Sequence, residues 1–336
     1  MPPSLPDLAT IDSQEKADAL LQRGLLEKLF LMPPEFGGQD IPANVLYAPP
    51  SAVRRKQEID QGVIVGLAEA GKISQYSAKC EYQGASKIPT AVTIDVSEPE
   101  TYRFVISIWG DALARDEKAW DAVYAAREAL YAQHLGKLEG DVQKLINMMG
   151  IWPGGCLVQL ESPRHGVWVT SSFGLTNPDM PATTTLESFE VQGEGTGDLK
   201  HQMQIASRPP RPIPVGIAGY GYEMLVFTRG KETWPLNFLD WAVQMEITRD
   251  VDFLKRMEKY GAVTIEDVSL GEHGAGDFII APLRQFAPHK MELPNGTMEL
   301  LVATRITRAE MQLGAGGKGR ELLERIVKRP GGQVSL

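Results

Sequence analysis

Residues 218–243 read AGYGYEMLVFTRGKETWPLNFLDWAV, and this stretch decides the fold class. Tyr220, Tyr222, Met224 and Val226 recur at every second position, so they share one face of a strand, while Leu225 and Phe227 load the other. A strand apolar on both faces belongs inside a covered sheet. Gly219 and Gly221 alternate with the tyrosines, the mark of a bulge or of a close approach to the backbone. Arg229 and Gly230 turn the chain. Thr233 then stands as a candidate N-cap and Pro235 in the first helical turn, which predicts a helix from Trp234 with Leu236, Leu239, Ala242 and Val243 on its inner face. The stretch carries a strand, a turn and a helix, and its chemistry is that of packing.

Working outward, residues 102–109 (YRFVISIW), 156–160, 166–175, 185–190, 277–282 and 298–306 read as further strands, as do SQYSAKCEYQG and KIPTAVTIDV between residues 74 and 96. Helical spacing predicts a helix capped by Ser13 and running until Pro33, another over 51–70 closed by Gly71, and a long one over 118–138 that joins two regions. Residues 141–149 extend or follow that helix. A further helix over 252–259 ends at Gly261, and ITRAEMQL begins a final helix broken by GAGGKG and resumed to Arg329. The first twelve residues, rich in proline, read as a loose arm. Residues 192–219, glycine-rich and then proline-rich, read as a mobile surface insertion. The expected organisation is an α+β module at 13–112 and a second α+β domain at 118–330.

With 336 residues, 43% hydrophobic and 23% charged, the composition is that of a globular protein of about two domains. A net charge of −9 repels phosphate backbones and anionic bilayers, which argues against nucleic-acid and membrane partners. The two cysteines, Cys80 and Cys156, cannot form a disulfide framework or a zinc cage. No signal-peptide pattern and no run of about 20 apolar residues is present, so the expected location is cytoplasmic.

Candidate chemistry is thin. GAGGKGRE (314–321) has glycines and Lys318 but not the spacing of a phosphate-binding loop, and a turn between helices accounts for it. His134, His165, His201, His273 and His289 have no ligand partners at metal spacing. Only His273, in LGEHGAGD with Glu272 and Asp277, offers a hydrolase or transferase reading. No nucleophile elbow is present, and Ser171 and Ser172 lie within a strand. No cofactor, metal or catalytic residue is therefore expected. Aromatic residues concentrate between 150 and 245, among them Trp152, Trp168, Phe173, Tyr220, Tyr222, Trp234 and Trp241, and such residues serve either cores or protein interfaces.

Taken in order, four segments resemble the suppressor of fused (SUFU) domain family. EALYAQHLGKLEG (128–140) resembles its opening helix, and VWVTSSFGLTNPDMP (167–181) its strand and following turn, here with Phe173, Gly174, Leu175, Thr176, Asn177, Asp179 and Met180. AGYGYEMLVF with WPLNFLDWA resembles the next strand and helix, and ITRAEMQL with ELLERI the C-terminal portion. The resemblance covers about residues 120–328, and residues 13–112 more weakly resemble a module found in bacterial proteins of this kind. It implies an α+β fold, a mixed sheet flanked by helices and preceded by a smaller α+β domain, that binds another protein without catalysis. In bacteria it implies an immunity protein neutralising a cognate toxin or effector encoded nearby. Phe173, Asp179, Tyr220, Tyr222, Trp234 and Trp241 are the candidate partner-binding residues.

Overall fold

The structure is a computed structural model and describes residues 5–138, 142–143, 151–192 and 199–335. The chain forms two compact units, Met1–Asp121 with Arg208–Val215, and Ala122–Ser207 with Gly216–Leu336.

In the first unit, helix α1 (Gln14–Gln22) is capped as expected by Ser13, whose hydroxyl accepts from the Lys16 N–H at 3.3 Å. The helix stops far short of Pro33. Gly24 takes φ +68°, and Leu29 enters strand β1 (Glu27–Phe30), antiparallel to β2 (Val45–Ala48). Leu29 fits the helical row and the strand equally well, so periodicity could not place the break. Part of the expected loose arm is packed instead: Leu8 and Ile11 are buried with Leu25, Leu26 and Ile88, and the Ser86 hydroxyl donates to the Leu8 carbonyl.

The helix expected at 51–70 is α2 (Pro50–Ile59), a π-turn over Asp60–Ile64, and α3 (Val65–Glu69), followed by Gly71 at φ +66°. Strands β3 (Gln75–Glu81), β4 (Ala91–Ser97) and β5 (Tyr102–Ser107) form an antiparallel sheet with β4 central. Val92, Ile94 and Val96 of β4 are wholly buried in a cluster with Val53, Ile59, Ile64 and Leu67, as period-2 alternation requires. Pro209 closes on this unit at the π-turn, where a Cβ on Gly62 would lie 2.4 Å from its ring.

Helix α4 (Asp111–His134) begins seven residues before the expected start and ends four before the expected end. Of the segment expected to follow it, residues 142–143 form strand β6 (Val142–Gln143), and the remainder lies outside the described residues. The second unit continues with β7 (Cys156–Ser162), β8 (Val167–Phe173), β9 (Thr184–Gln192), β10 (Leu199–Ser207) and β11 (Ile217–Thr228). Next come α5 (Trp234–Arg249), α6 (Phe253–Tyr260), β12 (Val263–Ser269), β13 (Ala275–Pro282), β14 (Lys290–Leu293) and β15 (Gly296–Ile306). Helices α7 (Arg308–Leu313) and α8 (Gly319–Lys328), joined through the π-turn Gly314–Lys318, and strand β16 (Val334–Ser335) complete the chain.

The fold is mixed α+β, built on a large mixed sheet of order β12-β13-β15-β11-β8-β7-β6, with β14 beside β15 and β16 beside β11. Strand β11 is parallel to β15 and antiparallel to β8, and its register shifts between Ile217 and Tyr222, where Gly219 and Gly221 take φ +53° and +83°. The glycines therefore mark a bulge and, at Gly219, a close approach to the Leu175 carbonyl as well. The two faces of β11 separate as its alternation predicts. Tyr220, Tyr222, Met224 and Val226 pack with Leu236, Phe238, Leu239 and Val243 of α5, whereas Leu225 and Phe227 pack with Val123 and Tyr131 of α4 and with Leu135 just after it. Burying each such apolar side chain contributes about 1.5–3 kcal/mol before entropy is counted. Helices α7 and α8 cover Ile279 and Ala281 of β13.

The expected mobile insertion is in part a strand. β10 pairs antiparallel with β9 from Ser207↔Thr184 to Leu199↔Gln192, a two-stranded ribbon separate from the large sheet. Its glycines and prolines hid the LKHQMQIAS strand between them.

Candidate functional site

The turn that follows β8, within the VTSSFGLTNPDMP segment, is organised by two buried charges, Arg127 and Glu223. Arg127 occupies the inner row of α4 with Val123 and Tyr131, four residues apart, and Glu223 lies on the α4-facing side of β11. Both are fully buried, with Arg127 Nη1 3.4 Å from Glu223 Oε1. Glu223 accepts from the Ser172 hydroxyl (2.6 Å), the Gly174 and Thr176 N–H groups (3.0 Å each) and the Thr176 hydroxyl (2.7 Å). Arg127 donates to Thr176 Oγ1 (2.9 Å) and Asn177 Oδ1 (2.8 Å) and lies over the Phe173 ring, 4.1 Å from its centroid. The Asn177 amide in turn donates to the Pro153 carbonyl.

A carboxylate with no counter-charge would not persist at such a place, and an unpaired turn would not hold its backbone donors inward. The ion pair and the turn therefore stabilise each other. The signal was present in the sequence as an arginine in an apolar helical row and a glutamate in an apolar strand. It had no visible partner because the two lie 96 residues apart.

The candidate partner-binding residues lie in different environments. Phe173 lies beneath the guanidinium and edge-on to Tyr124 and Tyr131. The Tyr220 N–H donates to the Leu175 carbonyl, and its hydroxyl accepts from the Ala182 N–H. The Tyr222 hydroxyl donates to Glu246, a buried carboxylate of α5 that also accepts from the Asp252 and Phe253 N–H groups at the start of α6. Trp234 is buried against Phe278. Phe173, Tyr220, Tyr222 and Trp234 thus belong to the frame. Asp179 is exposed on the turn, and Trp241 is half-buried on α5.

Thr233 does not cap α5, because its side chain makes no capping bond. Its hydroxyl lies 2.7 Å from His273 Nε2 instead. Glu272 approaches the same ring nitrogen at 3.9 Å, so the carboxylate does not orient His273 through Nδ1 as a nucleophile–base relay requires. Asp277 accepts from the Asp267 N–H and from Arg308. Asp277 is therefore partnered apart from the Glu272–His273 contact, and no relay joins the three. GAGGKG forms the turn between α7 and α8, as expected.

The first unit has its own buried ion pair at the π-turn. Lys56 Nζ lies 2.6 Å from Asp60 Oδ2 and 2.8 Å from the Tyr76 hydroxyl, which donates to Asp60 Oδ1 and the Leu31 carbonyl. Burial holds the Lys56 ammonium below its ordinary pKa and the Asp60 carboxyl above its own, with the mutual attraction opposing both. Burial also pushes the nearby Cys80 thiol up to about 11, so it is protonated at neutral pH. A cavity of about 130 Å³ borders the pair. Among the described residues no group of His, Cys, Asp or Glu side chains is arranged to hold a metal, and no helix is long and apolar enough to cross a membrane.

No protein-family model matches the chain, and no curated protein does. Solved structures similar to it include the Sufu–Fu complex, at 13% identity and TM-score 0.38, over 65% of this chain and 88% of that one. Drosophila Suppressor of Fused aligns at 12% identity and TM-score 0.36, over 64% of this chain and 49% of its own length. A SUFU homolog from Neisseria gonorrhoeae FA 1090 aligns at 13% and 0.37, over 63% and 89%. The neighbours are Suppressor of fused proteins, one of them bacterial, the family whose motifs the sequence resembles. A likeness of this size describes a backbone arrangement and assigns no activity.

Proposed function

We propose that this protein works by binding another protein, without catalysis, and most concretely that it is a cytoplasmic immunity protein that neutralises a cognate bacterial toxin. The observation that carries the reading is the β9–β10 ribbon. Strand β10 pairs with β9 and, among the described residues, with no strand on its other edge, and it exposes Met203 (54%) and Ile205 (48%). An open strand edge with apolar side chains at alternate positions is a liability in isolation and a docking template when a partner strand adds to it. The buried charges support the same reading, because Arg127, Glu223 and Glu246 are committed to holding the turn and α6. Asp179 and Trp241 lie at the accessible margin of that frame and are the contacts we assign from the candidate set. The net charge of −9 favours a basic partner surface.

Coexpression with the product of the adjacent gene tests the proposal. A stable complex on purification and rescue of growth from that product's toxicity are expected. Absence of both would sink it. Replacing Met203 and Ile205 together by aspartate should weaken any complex at least tenfold while leaving the thermal unfolding of the free protein nearly unchanged, since both side chains are exposed.

A further inference from the structure

The second unit contains a cavity of about 500 Å³ distinct from the turn and the ribbon. Its walls come from the C-terminal end of α4, from β7 and β8 with the turn joining them, and from Lys231 on the loop before α5. Two cationic side chains, Arg164 and Lys231, line it with one carboxylate, Glu161. In a chain of net charge −9 this is a local inversion of sign. Screening at physiological ionic strength acts over about 8 Å, so inside the cavity the near cations outweigh the distant acidic surface.

Two further features, Trp168 and Arg164, point to a ligand with both an acceptor group and apolar surface. Trp168 lines the cavity half-buried, with Lys231 Nζ 5.4 Å from its ring centroid. Arg164 is held in place, donating to the Gln133 carbonyl at 3.2 Å where α4 ends. That bond uses one of five guanidinium donors, and the remaining fork matches a carboxylate.

We infer that this cavity binds an acidic peptide segment, with a carboxylate at Arg164 and Lys231 and an apolar side chain against Trp168. The volume is that of a cleft for a few side chains, not of a broad protein face. The inference rests on the proposed function only in taking the ligand to be a peptide. It adds a second contact, of opposite charge preference to the acidic surface.

Fluorescence anisotropy with a fluorescein-labelled nonapeptide of alternating glutamate and leucine tests it. The wild-type protein should bind this probe, and the same peptide with lysine in place of glutamate should not bind. The double variant Arg164→Glu/Lys231→Glu should bind at least about tenfold more weakly, from two reversed ion pairs, and Trp168→Ala should also weaken binding. Because Arg164 also bonds the end of α4, Lys231→Glu alone, on an exposed loop, serves as the variant whose fold is not at issue, with a loss of about threefold or more expected. Equal binding by Lys231→Glu, or no binding by the wild type, overturns the assignment. Complete displacement of the probe by millimolar inorganic phosphate, with affinity unchanged in Trp168→Ala, overturns the peptide reading in favour of a small-anion site. None of these outcomes bears on the coexpression test, which fails or succeeds separately.

Discussion

Replacing Arg127 by methionine removes the cation from the turn after β8 while keeping most of the side-chain volume. The variant loses the bonds to Thr176 Oγ1 and Asn177 Oδ1 and the cation–π contact with Phe173, and it leaves Glu223 buried without a counter-charge. Breaking a buried ion pair from one side costs about 3–5 kcal/mol. The bonds Glu223 still accepts from Ser172, Gly174 and Thr176 hold the cost near the lower end, about 3 kcal/mol. Glu223→Gln strands the arginine and should cost about as much. Each unfolding transition should move by roughly 6–12 °C at about 2–4 °C per kcal/mol for a domain of this size. The double variant Arg127→Met/Glu223→Gln has no stranded charge, so its cost should fall short of the sum by about 2 kcal/mol or more. Urea titrations followed by circular dichroism measure the cycle, read on the transition of the second unit. Additive effects, or single costs below about 1 kcal/mol, would show that the turn is held by its apolar packing and that the charges are incidental.

Further outcomes follow from local geometry. At Gly219, φ is +53° and a Cβ would stand 2.4 Å from the Leu175 carbonyl oxygen, so Gly219→Ala should cost more than the about 1–2 kcal/mol of left-handed strain alone. Gly166→Ala, at φ +63° with nothing within 4 Å, should cost only that strain, and equal melting shifts for the two variants would refute the close approach. Thr307 caps α7 in a reciprocal capping box with Glu310, whereas Thr233 makes no cap, so Thr307→Ala should cost about 1 kcal/mol and Thr233→Ala less than about half of that. Reversed costs in chemical denaturation would contradict the assignment. Cys80 holds its proton more tightly folded than unfolded, so its contribution to stability is complete below pH 9 and is lost as pH rises through about 11. Iodoacetamide should therefore alkylate Cys80 in the native protein far more slowly at pH 8 than in urea, and equal rates would mean that burial does not suppress the thiolate.

Local signals in the sequence were sufficient for elements whose pattern and partners lie close together. The two-faced alternation of residues 220–227 placed β11 inside a covered sheet, and the turn and proline after it placed α5. Helix α6 and its Gly261 end, the broken helix around GAGGKG, and the strands from residue 75 to 107 were legible for the same reason. Helix α1 does not continue toward Pro33: Leu29 suits a helix row and a strand alike, and only pairing with β2 decides between them. Strand β10 was hidden in a composition that reads as loop, and its existence depends on β9 lying beside it. Thr233 has the sequence position of a cap, but His273, forty residues later, takes its hydroxyl.

Tertiary structure alone decided the polar interior. Arg127 and Glu223 each look like a mistake in an apolar pattern, and they become sensible only when α4 and β11 bring them to the same turn. The cavity near Trp168 is likewise assembled from α4, the β7–β8 hairpin and Lys231, segments that share no local signal. Periodicity reports which side of an element faces an interior, because that depends on backbone geometry within a few residues. Which charge meets which, and where a cleft opens between elements, depends on contacts made across a hundred residues of chain, and sequence order does not encode those distances.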